Sequence, residues 1–404
     1  MEYYVKSKAF QSRLIDGNYE VTNYISGKCF KIDSLIMELW NKCSSKKTLS
    51  DISSMLLNDN FSKLQIEKLI DFLLTNKLLV TNEKDVICET VKCATPAFAV
   101  DSVALKSIKR RSIVFIGTPF GQGNDIDSGS KIFPLTFRNT TNQYFPFKNN
   151  GKSIRSECIH NTFNICNLQN LIKQQQISDF GDIFYCTGTD ASSYYNNISQ
   201  IISQVSETDN IPFVLGGDHS ITYPIIKGIA NHHKDFIILH FDAHADYKNS
   251  SLVSLYDNIG LGLLNHATVM NYCEKVENVS EIIQCGVREP FIYETEKIKS
   301  VSLYDIRKKT EVYSYLKEKE CAVYISFDID YFDPAIAPGT ASTIINGGLY
   351  DETFNFLSEI LRNKEIIGVD IVEVNPNLDI RNTTMNLAIN LILQILSCIK
   401  IETK

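Results

Sequence analysis

The chain has 404 residues, 44% apolar and 22% charged, with forty basic and forty-seven acidic side chains and a formal charge of −7. That length exceeds what one hydrophobic core usually supports, so two domains are expected. The composition excludes a disordered or collagen-like chain, and a pI near 5.6 argues against a nucleic-acid partner held by phosphate contacts.

Eleven cysteines are scattered without a CxxC pair, the usage of a reducing compartment. The start, MEYYVKSKAF, has no apolar signal region, and no run of eighteen apolar residues occurs. No membrane association is expected, and the expected location is the cytoplasm.

Residues 18–32 alternate loosely around Ser26-Gly27 and predict a hairpin turning there. A helix is expected to start at Asp33 or Ser34, with Leu35, Ile36, Leu39 and Trp40 on one face. Thr48 with Asp51, and Ser62 with Gln65, have the spacing of capping boxes. Each precedes an apolar stripe, first Ile52, Met55 and Leu56, then Ile66, Leu69, Ile70 and Leu73. Leu78, Leu79 and Val80 would close the unit as a strand. A hairpin with three short helices predicts a winged-helix domain over 1–85. Residues 86–108 carry polar turns, Pro96 and no sustained period, and read as a linker.

The pattern changes over 109–404. Continuous apolar runs recur at SIVFIG (112–117), IPFVLGG (211–217), FIILHFD (236–242), EIIQCG (281–286), AVYISFDID (322–330) and EIIGVDI (365–371). Amphipathic stretches such as 193–205 and 352–362 lie between several of them. Buried strands alternating with helices predict a parallel sheet covered on both faces, a three-layer α/β/α fold. Ligands of such sheets bind at the carboxyl ends of the strands.

Three runs end in acid and imidazole: Asp218-His219-Ser220 after Gly216-Gly217, Asp242-Ala243-His244-Ala245-Asp246, and Asp328-Ile329-Asp330. A spacing of two along extended backbone turns both side chains of a pair to the same side. His219, Asp242, His244, Asp246, Asp328 and Asp330 are therefore candidate metal ligands. Four clustered carboxylates repel, so cations are expected among them. Two divalent ions balance the charge if two carboxylates bridge, and an oxygen-rich set with two imidazoles and no thiolate favours manganese. His232 and His233 are expected on a helix surface. His240 is expected to be packed or to back a ligand, and His160 sits in an uninformative stretch.

These motifs resemble the ureohydrolase family of arginases and agmatinases. GGDHS, DAHAD and SFDIDYFDP are similar to its three metal signatures, and IGTPFGQG, FGD (180–182), GVRE (286–289) and DIVEVNP (370–376) extend the likeness from about residue 112 to the end. The resemblance implies a three-layer α/β fold with two manganese ions. One would be held by His219, Asp242, Asp246 and Asp328, the other by Asp242, His244, Asp328 and Asp330. It implies that Glu373 receives the substrate guanidinium, that Asp330 carries a proton at the cluster, and that His266 is the proton-shuttle histidine. The family usually has glycine after that histidine, where this chain has Ala267. A homo-oligomer, trimeric or hexameric, is the family habit.

The substrate is where the chain departs from arginase. The position two beyond Asp246, an asparagine in arginases, is Lys248, and Glu289 is followed by Pro290 and Phe291. The first 85 residues resemble the RiPP recognition element, a winged-helix domain that takes up leader peptides by strand addition. The combination resembles a peptide arginase, converting arginine side chains of a ribosomally made precursor peptide to ornithine and urea. A winged helix used for oligomer contacts or DNA, a small-molecule ureohydrolase acting on agmatine, a guanidino acid or free arginine, and a catalytically dead peptide binder are the other readings.

Overall fold

All six apolar runs of the second half are strands, and they lie side by side. The computed structural model describes residues 3–7, 10–15, 18–23, 29–57, 62–81, 95–104, 107–147, 162–183, 191–248, 263–289 and 295–401. It divides into two units, Met1–Val91 and Lys92–Lys404.

In the first unit, β1 (Tyr3–Lys6) pairs antiparallel with β5 (Lys47–Thr48) and β6 (Leu79–Val80), while β2 (Phe10–Ile15), β3 (Asn18–Asn23) and β4 (Cys29–Ile32) form an antiparallel meander. β3 and β4 are the predicted hairpin, in register from Tyr19↔Ile32 to Thr22↔Cys29. Its turn at Ser26-Gly27 lies outside the described residues. Helix α1 (Ser34–Lys42) is capped by the Asp33 side chain, which accepts from the Ile36 N–H. Thr48 and Asp51 satisfy each other at the start of α2 (Leu49–Leu57), and Ser62 and Gln65 form the capping box of α3 (Lys63–Thr75). Capping matters because the first turn of a helix has backbone donors with no partner of their own. The faces predicted from periodicity meet in a core around Trp40, Ile52, Ile66 and Leu73. The indole of Trp40, fully buried, donates to the Leu78 carbonyl at 2.7 Å.

The second unit is built on a nine-stranded, all-parallel sheet in the order β13-β12-β11-β14-β15-β10-β8-β9-β7. Its strands are β7 (Asp101–Ser102), β8 (Ile113–Gly117), β9 (Ile177–Asp182), β10 (Ile211–Leu215), β11 (Phe236–Phe241), β12 (Val279–Cys285), β13 (Ile298–Val301), β14 (Ala322–Asp328) and β15 (Glu365–Val372). Helices cover it, including the predicted ones, which span Ala191–Ser206 and Tyr350–Ile360. The sheet has three strands beyond the six expected, β7, β9 and β13, and two further readings differ. His232 and His233 fall just past the helix Thr222–Ala230 and not on it. Residues 97–102, read above as linker, pack into the second unit. Phe98 stacks on Phe147 and meets Phe115 and Phe137, β7 pairs with β9, and Asp179 accepts from the Ala97 N–H at 2.7 Å.

Candidate functional site

The carboxyl ends of the central strands converge on one buried polar cluster. β11, β14 and β15 are neighbours, and their register places His240, Ser326 and Asp370 side by side, with Gln284 of β12 next to His240. This row lies one pleat below the ligand row, because Asp242 and Asp328 follow His240 and Ser326 by two.

The row sets ring orientations. Ser326 Oγ donates to Asp370 Oδ1 at 2.9 Å and so accepts from His219 Nε2, also 2.9 Å away. Asp370 is further held by Thr222 and Tyr324. With Nε2 so engaged, Nδ1 of His219 carries the lone pair. That fully buried atom lies 3.1, 2.9 and 3.4 Å from carboxylate oxygens of Asp242, Asp246 and Asp328 and makes an acceptable hydrogen bond with none of them. A lone pair facing three carboxylates is stable only with a cation, proton or metal, in their midst. His240 sits behind Asp242, its Nε2 2.9 Å from Asp242 Oδ2.

On the other side, His244 Nδ1 is 2.9 Å from Asp330 Oδ2 and 3.4 Å from Asp242 Oδ1. Asp242 thus faces both halves of the cluster. Donor atoms of His219, His240, Asp242 and Asp246, and separately of Asp242, His244 and Asp330, lie within 4.8 Å of one another, sets able to hold metal ions. All six predicted ligands are in one place. Their electrostatics report the same excess of negative charge. Burial and the charges of Asp330 and Asp242 push Asp328 well above the usual carboxylate range, and burial and Asp242 push Asp330 up to about 6. Burial opposes protonation of His244, yet Asp242 and Asp330 raise it to about 12. The three carboxylates around His219 likewise outweigh its burial. Burial pushes Asp242 up, but the imidazoles of His219, His240 and His244 gathered around it hold it well below its ordinary value.

Beside the cluster is a cleft of about 140 Å³ whose lining includes Asn124, Lys248, His266, Glu289 and Glu373. That is below the roughly 300–1,000 Å³ of drug-sized pockets and suits a head group. Glu373 is buried, accepts from the His219 N–H and from Asn124 Nδ2, both at 3.0 Å, and is pushed well above its usual range by burial and by the charge of Asp218. Its φ of 58°, like the 47° of Asp246, is left-handed, a cost of about 1–3 kcal/mol that residues at functional sites characteristically carry. His266 Nδ1 lies 2.7 Å from the Gly123 carbonyl, which leaves Nε2 as its second nitrogen, 3.8 Å from Asp125.

Sequence reasoning missed the supports. Arg288 donates to the carbonyls of Asp330 and Ile344 at 2.9 and 2.7 Å and ties two loops of the site together. Glu289 accepts from the Ala245 N–H at 2.8 Å. Asn124 follows directly on IGTPFGQG, and Asp218 stands within GGDHS, so both lay in or beside stretches already singled out but were assigned no role of their own.

The sequence profile described as the Arginase family matches residues 111–398. Agmatinase of Blochmanniella floridana is 29% identical over 70% of this chain and 86% of its own length. The mitochondrial guanidino acid hydrolase of Homo sapiens is 27% identical over 75% and 85%. Among solved structures, proclavaminate amidino hydrolase from Streptomyces clavuligerus superposes with a TM-score of 0.61 at 23% identity, covering 76% of this chain and 97% of that one, a likeness of fold.

Proposed function

The chain belongs to the arginase family of guanidino-group hydrolases, and from that premise we propose that it is a manganese-dependent peptide arginase. It converts arginine side chains of a ribosomally made precursor peptide to ornithine, releasing urea.

The convergence of three carboxylates, Asp242, Asp246 and Asp328, on the lone pair of His219 Nδ1 carries the chemistry. His219, Asp242, Asp246 and Asp328 would hold one ion, and Asp242, His244, Asp328 and Asp330 the other. The oxygen-rich donor set, without thiolate, favours manganese. A metal pair bound there supplies a water whose pKa is lowered to near neutrality. Glu373 takes the planar guanidinium by a two-point fork. It retains lone pairs for that after accepting from His219 and Asn124. Positioning of this kind can account for about 7–11 kcal/mol of a barrier. The departing amine needs a proton, which Asp330 carries at the cluster and His266 exchanges with solvent.

The peptide assignment rests on the unit Met1–Val91, which precedes the family match. Among the described residues β2 and β4 each pair on one side only, leaving sheet edges to which an extended leader can add. A docked leader raises the effective concentration of the arginines that follow it. A second reading, a small-molecule ureohydrolase, is favoured by relatives named agmatinase and guanidino acid hydrolase. Lys248 weighs against agmatine itself. It is the one lysine or arginine among the described cleft-lining residues, and it opposes a substrate with a second cation.

The test is mass spectrometry of a leader-bearing precursor incubated with the manganese-loaded full chain. Each arginine should lose the mass of one cyanamide unit, and excess free leader should slow the conversion. Equal rates for the precursor with and without its leader would overturn the peptide assignment, and turnover of free agmatine or a guanidino acid alone would establish the second reading.

A further inference from the structure

We propose that Asp218, which does not line the cleft and is outside the ligand set, is a positioning residue that places both the guanidinium receptor and the proton carrier through a single loop. The inference rests on the roles proposed above for Glu373 and His266.

Asp218 clasps residues 120–123 at two points. Its backbone N–H donates to the Phe120 carbonyl at 2.9 Å, and its Oδ2 accepts from the Gly123 N–H at 2.7 Å. Its other oxygen accepts from the N–H of Ser220 at 3.0 Å and from the Ser220 hydroxyl, so the carboxylate is fixed in turn. The approach is so close that a Cβ on Gly123 would lie 2.6 Å from Asp218 Oδ1 and 2.4 Å from Ser220 Oγ, and one on Gly217 would lie 1.7 Å from the Phe120 carbonyl oxygen. Glycine is required at both positions for the clasp to close.

Two functional groups hang from the clasped loop. The Gly123 carbonyl accepts from the His266 backbone N–H at 3.0 Å and faces His266 Nδ1 at 2.7 Å. A carbonyl can only accept, so Nδ1 bears the proton and Nε2 is the nitrogen free to take one. The next residue, Asn124, turns its Oδ1 to the Ile126 N–H at 2.9 Å. That commits its Nδ2 to Glu373 Oε2 at 3.0 Å. One buried carboxylate therefore sets the tautomer of the shuttle and the orientation of the substrate's receptor.

Asp218→Asn breaks one point of the clasp: Oδ1 still serves Ser220, while Nδ2 meets the Gly123 N–H, donor against donor. The expected protein keeps two metal ions per chain and loses about 10–100-fold in kcat/KM, the scale of a small misplacement at a reacting centre. The loss divides into a raised KM, reproduced by Asn124→Ala, and a lowered kcat, reproduced by His266→Ala and restored by free imidazole in both variants. Gly123→Ala, whose methyl would collide with Asp218 Oδ1 and Ser220 Oγ and so open the clasp while the carboxylate itself is kept, should give the same division. Kinetics of Asp218→Asn within twofold of wild type would overturn the proposal. So would a kcat that imidazole restores in His266→Ala but not in Asp218→Asn, or an activity loss matched by metal loss. A His266→Ala protein of undiminished kcat would instead count against the shuttle role itself.

Discussion

Replacing Glu373 with glutamine tests whether that residue receives the substrate. The two carboxylate oxygens each serve a protein donor, the His219 N–H and Asn124 Nδ2, both at 3.0 Å. Glutamine keeps the shape but offers one oxygen and one NH2, so one of those donors faces another donor, at about 1–3 kcal/mol of stability. For a unit of this size that lowers Tm by a few degrees. The larger effect falls on the substrate. A buried, hydrogen-bonded pairing of guanidinium and carboxylate costs about 2–5 kcal/mol when one partner is removed. At about 1.4 kcal/mol per factor of ten, kcat/KM should fall by roughly one and a half to three and a half orders of magnitude. Glu373→Asp keeps the charge but withdraws it by one methylene, and should fall by about a hundredfold through misplacement. Urea release under initial-rate conditions gives the kinetics, and elemental analysis gives the metal content. A glutamine variant with two metal ions and kcat/KM within threefold of wild type would refute the fork.

Asp242→Ala should lose both metal ions and all activity together, since Asp242 faces His219 and His244 at once; two tightly held ions in that variant would remove its bridging role. Protein stripped of metal should become less stable as pH rises from about 6 to 8. Its His219 and His244 are raised above their unfolded value near 6.5, so across this window the folded state binds more protons and the stability they contribute is lost with rising pH. Saturating manganese should reverse that slope, because binding needs the deprotonated ligands; parallel melting curves with and without metal would contradict the cluster's charge balance. Arg138→Met should destabilise the second unit by about 3–5 kcal/mol. Arg138, fully buried, forks Asp179 at 2.8 and 3.0 Å and also pairs with Asp182. An unchanged Tm would mean those carboxylates find other partners.

What could be read from the amino-acid order was decided by where each strand sits in the sheet. The six predicted runs occupy six adjacent central positions, β12-β11-β14-β15-β10-β8. Strands covered on both faces must be apolar at every residue, which makes them visible as continuous runs. The strands that were not predicted, β13, β9 and β7, lie at the margins. β13 exposes Lys299 and Ser300, and β9 buries Asp179 because Arg138, from a helix forty-one residues earlier, neutralises it. No local pattern in ISDFGD announces that distant partner. In the first unit the caps were legible for the opposite reason, since Asp33, Thr48 and Ser62 bond within three residues of themselves.

The site divides along the same line. Most of its candidate ligands come two apart at or just past strand ends, DAHAD and DID, a spacing visible in the sequence, although the backbone that groups them is no longer extended there: Asp330 lies on the 3-10 turn Ile329–Tyr331 and Asp246 is left-handed. Their supports are paired across the fold: Asn124 with Glu373, Ser326 with His219, Arg288 with the carbonyls of Asp330 and Ile344. None of these pairs has a characteristic spacing, because the parallel topology, through crossover connections, brings together segments of arbitrary separation. The polar row Gln284-His240-Ser326-Asp370 shows the limit most plainly. Each member looks like a lone polar residue in an apolar run, an unfavourable choice for a buried strand. Only the register that aligns the four turns them into two hydrogen-bonded pairs, Gln284 with His240 behind Asp242 and Asp370 with Ser326 behind His219, the second of which aims the His219 lone pair at the carboxylates. A metal centre of this kind is therefore announced by its ligands and made workable by residues that, strand by strand, look like exceptions.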